Sequence, residues 1–238
     1  MTQQRTTENP RATGRTEGEL LLVDKPRGWT SFDVVHFTRK LLRVRKAGHA
    51  GTLDPMATGL LIICTEARTR EMEQFIGMDK EYEVEMMLGA RTESYDAETP
   101  IIERRDIADL TPDRVRETLR SFVGPQAQVP PMWSAVKVRG KPLYRYARKG
   151  QVVERAPRQV VVHALEERDI SLPAVRFRLR CSKGTYVRSL VNSVGEHLGC
   201  GAYVSALRRT RIGPYNVADA LTVEQLSERT VEKIAGHP

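Results

Sequence analysis

The sequence predicts an α+β fold built on a mixed, largely antiparallel sheet. Three observations carry that prediction. Two segments alternate strictly between apolar and charged residues, two uniformly apolar runs have strand length, and helical periodicities fall between them without a regular strand–helix–strand repeat. A doubly wound parallel sheet would show that repeat; period-two alternation favours antiparallel pairing.

LLLVD (20–24) is the first apolar run and reads as a buried strand. In SFDVVHFTRKLLR (31–43), Val34, Phe37 and Leu41 recur at helical spacing, with Thr30 placed as the N-cap. LLIIC (60–64) is the second buried strand, followed by a helix over ARTREMEQFIG (67–77) that Gly77 ends. In KEYEVEMMLGA, Tyr82, Val84, Met86 and Leu88 share one strand face, and Glu81, Glu83 and Glu85 the other. Thr111 as cap and Pro112 at the first helical position open a helix over 112–122. VRFRLRC (175–181) alternates Val175, Phe177, Leu179 and Cys181 against Arg176, Arg178 and Arg180. TYVRSLVNSVGEHLG is helical through Val187, Leu190, Val191, Val194 and Leu198, and Gly199 terminates it. The stretch 124–150 fits this core poorly. Three prolines lie in its first eight residues and a short basic helix follows, so it reads as a projecting, mobile element outside the sheet.

The 238 residues suit one large domain, and 40% hydrophobic content suffices for a real core. Residues 1–19 hold only Met1 and Ala12 as apolar residues, which excludes a secretory signal and predicts a disordered polar tail ahead of a folded domain over 20–238. No apolar run has the length of a membrane span. Three cysteines (Cys64, Cys181, Cys200) cannot form a disulfide framework, so reduced thiols and a cytoplasmic setting are expected. His197-x-x-Cys200 has half of a zinc spacing and no second pair, so no metal is expected.

The net charge of +8 is segregated. Residues 39–46 carry five bases and no acid, residues 124–153 six bases and no acid, and residues 176–211 eight bases against Glu196 alone. These windows together hold +18, leaving −10 for the rest. Such segregation points to a polyanion-binding face, although solvated charge runs would look the same. Trp133, Tyr144 and Tyr146 interleave with the second window, which favours RNA with unstacked bases over plain duplex.

Against this basic background, GHAGTLDPMATGLLIICTEA (48–67) places Asp54 alone, with no other acid before Glu66 and with Gly48, Gly51, Pro55 and Gly59 around it. The loop is either a well-positioned turn, since Asp-Pro is a common turn dipeptide, or the mount of a reactive carboxylate.

Four segments settle which family to compare. KPRGWTSFDVV, GHAGTLDPMATGLLIICTEAR, VPPMWSAVKVRGKPLYRYARKG and CSKGTYVRSLVNSVGEHLGCGAYVSALRRTRIG follow the order seen in TruB-type tRNA pseudouridine-55 synthases. The resemblance covers about residues 20–222. It implies the pseudouridine synthase fold, no cofactor, and a reaction that cleaves the N1–C1′ bond of a T-loop uridine, turns the base and rejoins it through C5. On this resemblance Asp54 is the essential aspartate, Tyr82 closes on the target base, and Arg188 pairs with Asp54 and keeps it ionised, with Tyr186 as its neighbour. Leu207 packs on the base, His49 contacts the RNA when the base leaves its stack, and Lys25 belongs to the first motif as a substrate-binding residue. The segment 124–153 matches a thumb-like RNA-clamping insertion, in which Lys141, Arg145 and Arg148 are expected to meet phosphates. Ala50 and Thr52 invert a Thr/Ala pair often seen in the family, a neutral exchange. Many members carry a C-terminal PUA domain; the 16 residues after Thr222 suffice for one helix, so no PUA domain is expected.

The expected partner is a tRNA T-stem-loop, bound by a monomer that needs no obligate protein partner. A tRNA-folding chaperone with secondary or no catalysis is the competing reading, and the charge pattern supports it equally. Membership of a guide-RNA complex is a third, which the expected lack of a PUA domain disfavours. With one acid in the constellation, paired-carboxylate glycoside hydrolysis lacks its second group. Attack of Asp54 on C1′ and action as a base toward a glycal intermediate are both open.

Overall fold

The computed structural model describes residues 17–235, with side chains through residue 230. Strand β1 (Leu20–Lys25) leads into helix α1 (Ser31–Leu42), a short β2 (Ala47–His49) and β3 (Thr58–Thr65). A 3-10 turn (Glu66–Glu71) runs into α2 (Met72–Gly77), and β4 (Lys80–Leu88) follows. A small hairpin of β5 (Ala90–Thr92) and β6 (Ile101–Arg104) precedes α3 (Pro112–Ser121) and β7 (Gly124–Gln128). An excursion then carries β8 (Lys137–Val138), β9 (Lys141–Pro142) and α4 (Leu143–Ala147). The chain returns through β10 (Arg158–Ser171), β11 (Ala174–Cys181), α5 (Val187–His197), β12 (Ala202–Ile212), β13 (Tyr215–Asn216) and α6 (Val223–Ala235).

The main sheet has the order β1-β3-β12-β4-β11-β10-β7, with β2 added to β3 and β13 to β12. Pairing is antiparallel throughout except where β12 meets β3 in parallel, Arg208 opposite Thr58 and Arg209 opposite Gly59. That junction places Leu207–Arg209 beside the loop that enters β3. Gly59 makes it possible: its φ is +102°, and a Cβ there would lie 2.3 Å from the Arg209 carbonyl oxygen. Gly59→Ala is therefore expected to cost several kcal/mol, on the order of the ~1–3 kcal/mol of a strained backbone plus the clash, visible as a lowered denaturation midpoint.

Two layers of helix flank the sheet. Val115 and Leu119 of α3 and Leu190, Val191 and Val194 of α5 bury against Val84, Met86, Phe177, Leu179 and Val204. Each fully buried aliphatic or aromatic side chain contributes about 1.5–3 kcal/mol relative to exposure. At the other end, Val34 and Val35 of α1 and Leu226 of α6 cover Val23, Leu61 and Ile63, while Leu60, Ile62 and Cys64 pack with Phe75 and Ile212. β3 is thus buried on both faces, which is why its sequence is uniformly apolar. The capping box at Thr30 and Asp33 fixes the start of α1, and Thr111 with Pro112 that of α3. On the charged face of β4, Glu85 accepts from Arg176 Nε at 2.7 Å directly across the ladder, and Glu81 meets Arg178 diagonally at 3.6 Å.

Several expectations are corrected. Residues 124–128 are not part of a projecting element; they form β7, an edge strand on β10, where Pro125 is tolerated because one side of the strand needs no ladder donor. Only the chain beyond them leaves the sheet. The helix expected over 67–77 begins as a 3-10 turn and is α-helical from Met72. β1 alternates in burial because its faces are covered unequally: Leu21 and Val23 lie under α1 and α6, while Leu20 and Leu22 are only partly covered on the other face. The polar tail expected over 1–19 lies outside the described residues up to position 16, and Glu19 already exchanges hydrogen bonds with Thr65. β12 shows no clean alternation in sequence because bulges at Val204/Ala206 and Arg209/Arg211 re-phase it.

Candidate active site

Asp54 sits on the loop between β2 and β3, and the loop is held from several sides. Ser31, the first residue of α1, accepts from the Leu53 amide at 2.8 Å and donates to the Leu53 carbonyl at 3.0 Å. Arg209 of β12, only 1% exposed, donates to the Gly51 carbonyl at 3.0 Å and the Leu60 carbonyl at 2.8 Å. The Pro55 carbonyl accepts from the Gly28 amide at 2.8 Å and from Lys25 Nζ at 3.3 Å. Every one of these contacts joins the loop to an element distant in sequence, so its shape is set by the fold rather than by the loop alone.

The carboxylate itself meets Arg188, the second residue of α5. Arg188 Nε lies 2.9 Å from Asp54 Oδ2, and Nη2 donates to Oδ1 at 3.1 Å. The guanidinium, 5% exposed, also donates to the carbonyls of Ser94 (2.9 Å) and Trp133 (2.8 Å). Behind it stands Asp96, fully buried, with Oδ2 3.4 Å from Arg188 Nε. Burial pushes the Asp96 carboxyl up while Arg188 pulls it down. Ser94 Oγ donates to Asp96, and the Glu98 amide donates to its Oδ1 at 3.0 Å. One fixed cation thus faces two acids, one buried and one, Asp54, a third exposed.

Asp54 and Arg188 open onto a cleft of about 260 Å³ walled by Tyr82, Tyr186 and Leu207. Tyr82 is buried and its phenol is pushed up to about 12, with Arg209 opposing the effect of burial, so it is neutral at physiological pH and acts as a flat apolar surface. Leu207 is buried beside it. The Tyr186 backbone is locked to Gln128 by reciprocal bonds of 2.7 and 3.0 Å, and burial raises its phenol. The cleft thus combines a carboxylate and a guanidinium with aromatic and aliphatic side chains in one lining.

His49, at the end of β2, is half-buried and packs edge-on against the exposed Phe32 ring at 6.2 Å. Burial and the nearby Arg209 lower its pKa, so the imidazole is neutral above its ordinary value, and its Nδ1 has no hydrogen-bond partner. Lys25 does not reach the cleft. It is fully buried, and its ammonium donates to the carbonyls of Pro26 (3.0 Å), Trp29 (2.6 Å) and Pro55 (3.3 Å), which makes it a brace under the loop rather than a substrate contact. Burial lowers its pKa to about 8, against the opposing pull of Asp54 and Glu98. The unfolded chain therefore binds the extra proton between about pH 8 and 10.5, and this group's contribution to stability rises with pH across that window. Denaturant titrations of wild type and Lys25→Met at pH 7.5 and 10 are expected to show wild type gaining on the variant, by at most about 1.4 kcal/mol per pH unit.

Lys141, Arg145 and Arg148 lie on the β9–α4 excursion, Arg145 and Arg148 exposed. Lys141 stands over the Tyr146 ring at 4.4 Å and Arg148 over Tyr144 at 5.5 Å. The excursion touches the site at its root, through the Trp133 carbonyl on Arg188 and Ser134 at the cleft wall. Sequence reasoning missed Arg209, Ser31 and Asp96. Arg209 was hidden in a basic run and Ser31 in an ordinary helix start; only the local Ser-x-Asp pattern at 94–96 offered a hint, as a turn. His197 and Cys200 are structural: His197 packs edge-on against Phe122 and Cys200 is buried. Among the described residues no group of three or more His, Cys, Asp or Glu is arranged to hold a metal ion.

The family model for the TruB family pseudouridylate synthase N-terminal domain matches residues 39–187. The chain belongs to the TruB family. A second model of that family, the tRNA pseudouridylate synthase B C-terminal domain, matches residues 188–235. The tRNA pseudouridine synthase B of Chloroherpeton thalassium is 46% identical over 226 residues, covering 93% of this chain and 94% of its own. That of Ralstonia nicotianae is 44% identical, covering 99% and 76%. Among solved structures, a Cbf5-Nop10-Gar1 complex contains a chain with a TM-score of 0.73 at 32% identity, aligned over 94% of this chain. An archaeal box H/ACA sRNP Nop10-Cbf5 complex contains one at 0.70 and 28%, aligned over 93%. This TruB-family chain spans 57% of the length of each of those structural relatives. The pseudouridine synthase fold expected from the four motifs is the fold observed.

Proposed function

We propose that this chain converts uridine to pseudouridine in the T-loop of tRNA, at position 55, with Asp54 as the reacting carboxylate. The curated relatives are named for tRNA pseudouridine synthesis, which supports the substrate class and the reaction. The observation that carries the residue assignment is the Asp54–Arg188 pair in one cleft with Tyr82 and Leu207. The isomerisation breaks N1–C1′, turns the base and forms C5–C1′; the C5 proton leaves to solvent and N1 gains one, so atoms balance without redox chemistry. Asp54 serves this as nucleophile at C1′ or as base toward a glycal; both need a carboxylate aimed at the sugar while the base is held flat. Extrusion of the target from its stack costs a few kcal/mol, which stacking on Tyr82 and packing on Leu207 offset.

The test is tritium release from a T-stem-loop carrying 5-tritiated uridine at position 55 alone. Release equal to the pseudouridine formed is expected. Labelled uridine elsewhere in the loop should release none; release there would overturn the positional assignment. No release despite tight binding would favour a tRNA-folding role.

Three cations of the excursion, the exposed Arg145 and Arg148 and the half-buried Lys141, are proposed to contact phosphates. Replacing Lys141, Arg145 and Arg148 with alanine should weaken stem-loop binding and flatten its salt dependence by up to about 0.9 log unit per lost contact. A filter-binding series with an unchanged slope would remove them from the interface. The proposed active species is a monomer in the cytoplasm acting without a protein partner, which sedimentation of the enzyme with and without tRNA would check. No helix among the described residues is long and apolar enough to cross a membrane.

A further inference from the structure

The turn over residues 92–99 reaches the Asp54 loop by two separate routes. The first runs through Arg188, which donates to the Ser94 carbonyl and faces Asp96. The second is Glu98, whose Oε1 accepts the Met56 amide at 2.9 Å across 42 residues of sequence. The partner is specific in kind. The Met56 N–H and the Pro55 carbonyl belong to one peptide unit, the unit that follows Asp54-Pro55. Its carbonyl is held by Lys25 Nζ and the Gly28 amide, and its N–H by Glu98. Both ends of one peptide plane are therefore gripped from opposite directions by elements outside the loop. Because Pro55 fixes its own φ, pinning the next peptide plane leaves little freedom for the Asp54 main chain.

Glu98 is itself well anchored, although its side chain is otherwise exposed. Its amide donates to Asp96 Oδ1, the neighbouring Ala97 amide donates to the Val204 carbonyl at 3.0 Å, and the Val204 amide donates back to Tyr95. The Thr92 hydroxyl closes the turn on the Asp96 carbonyl at 2.7 Å. An exposed glutamate whose main chain is this fixed, and whose one side-chain bond reaches the loop of the reacting carboxylate, is placed to orient that loop.

We propose that Glu98 is a positioning residue for the isomerisation, which through the Met56 amide fixes the direction in which Asp54 presents its carboxylate. This rests on the role given to Asp54 above. The needed property is a hydrogen-bond acceptor at a set reach, so Glu98→Gln, which keeps both, retains function. Glu98→Ala loses the acceptor and Glu98→Asp shortens the reach.

Steady-state and single-turnover tritium release and stem-loop binding are measured on all four proteins, with amide hydrogen exchange of the loop followed in the absence of RNA. Glu98→Ala and Glu98→Asp are expected to lower kcat between about tenfold and about a hundredfold, the range for a reacting group displaced by up to an ångström. KM, tRNA affinity and melting temperature should stay unchanged, and Glu98→Gln should turn over near the wild-type rate. The Met56 amide should exchange faster in the alanine variant and not in the glutamine variant. Wild-type kcat in Glu98→Ala, or equal losses in the alanine and glutamine variants, would overturn the proposal. So would a fall in kcat that tracks a fall in melting temperature. An inactive wild type would defeat the reading of Asp54 instead, while the exchange data would still report on the Glu98–Met56 bond.

Discussion

Asp54→Asn is expected to reduce tritium release to background while tRNA affinity stays within a few-fold of wild type. Asparagine occupies the same volume and can take the same turn, so the loop clamps from Ser31, Arg209 and Lys25 remain available. Arg188 loses one anionic partner but keeps Asp96 and its two carbonyl acceptors, which leaves the buried cation compensated. The substitution therefore removes a negative charge and a nucleophilic oxygen and little else. Near-normal turnover would take Asp54 out of its assigned role. Loss of both activity and binding would mean that the loop, rather than the carboxylate, had been damaged, and circular dichroism and melting would reveal it.

Arg188→Met is expected to abolish activity and to destabilise the protein by about 3–5 kcal/mol, because it leaves the buried Asp96 without a counter-charge. The sign of its pH dependence follows. Burial already raises the Asp96 carboxyl and Arg188 opposes that rise. Without Arg188 the folded-state value climbs further above the unfolded one, so the folded variant binds the extra proton. Its stability then falls as pH increases. The deficit relative to wild type should be smaller at pH 5 than at pH 8, and equal deficits at both would show that Asp96 is not the group affected. Arg188→Lys retains the charge but not the planar fork that reaches Asp54, Ser94 and Trp133 together, so it should recover stability in part and activity hardly at all.

The legible parts of this fold were those with a clean period. β4 and β11 could be read from strict alternation, α1, α3 and α5 from caps and helical spacing, and β3 from its unbroken apolar run. β12 was not legible, because two bulges re-phase it and turn Arg209 inward, where periodicity would place an apolar residue. β7 was masked by prolines that an edge strand tolerates. The sequence pointed to Asp54, Tyr82, Arg188 and Leu207 through motif resemblance, and they line one cleft. What lies behind them could not be read in the same way. Ser31, Asp96 and Glu98 work through one or two bonds across 22 to 134 residues of chain, or through a partner such as Arg188 that makes such bonds, and no local pattern encodes these.

The parallel junction of β12 with β3 also decides how the molecule comes apart. Asp54 stands at the mouth of a strand buried on both faces, and its loop is tied to α1, β1 and β12 at once. Opening that loop means breaking contacts with three elements of the core, so its slowest amides should exchange only with global unfolding. The β8–β9–α4 excursion lies outside the main sheet and shares few of those ties, so it is expected to open before the Asp54 loop does. Under mild denaturant the excursion, the proposed RNA clamp, should therefore lose its shape well before the Asp54 loop does, and the two losses should have different denaturant slopes.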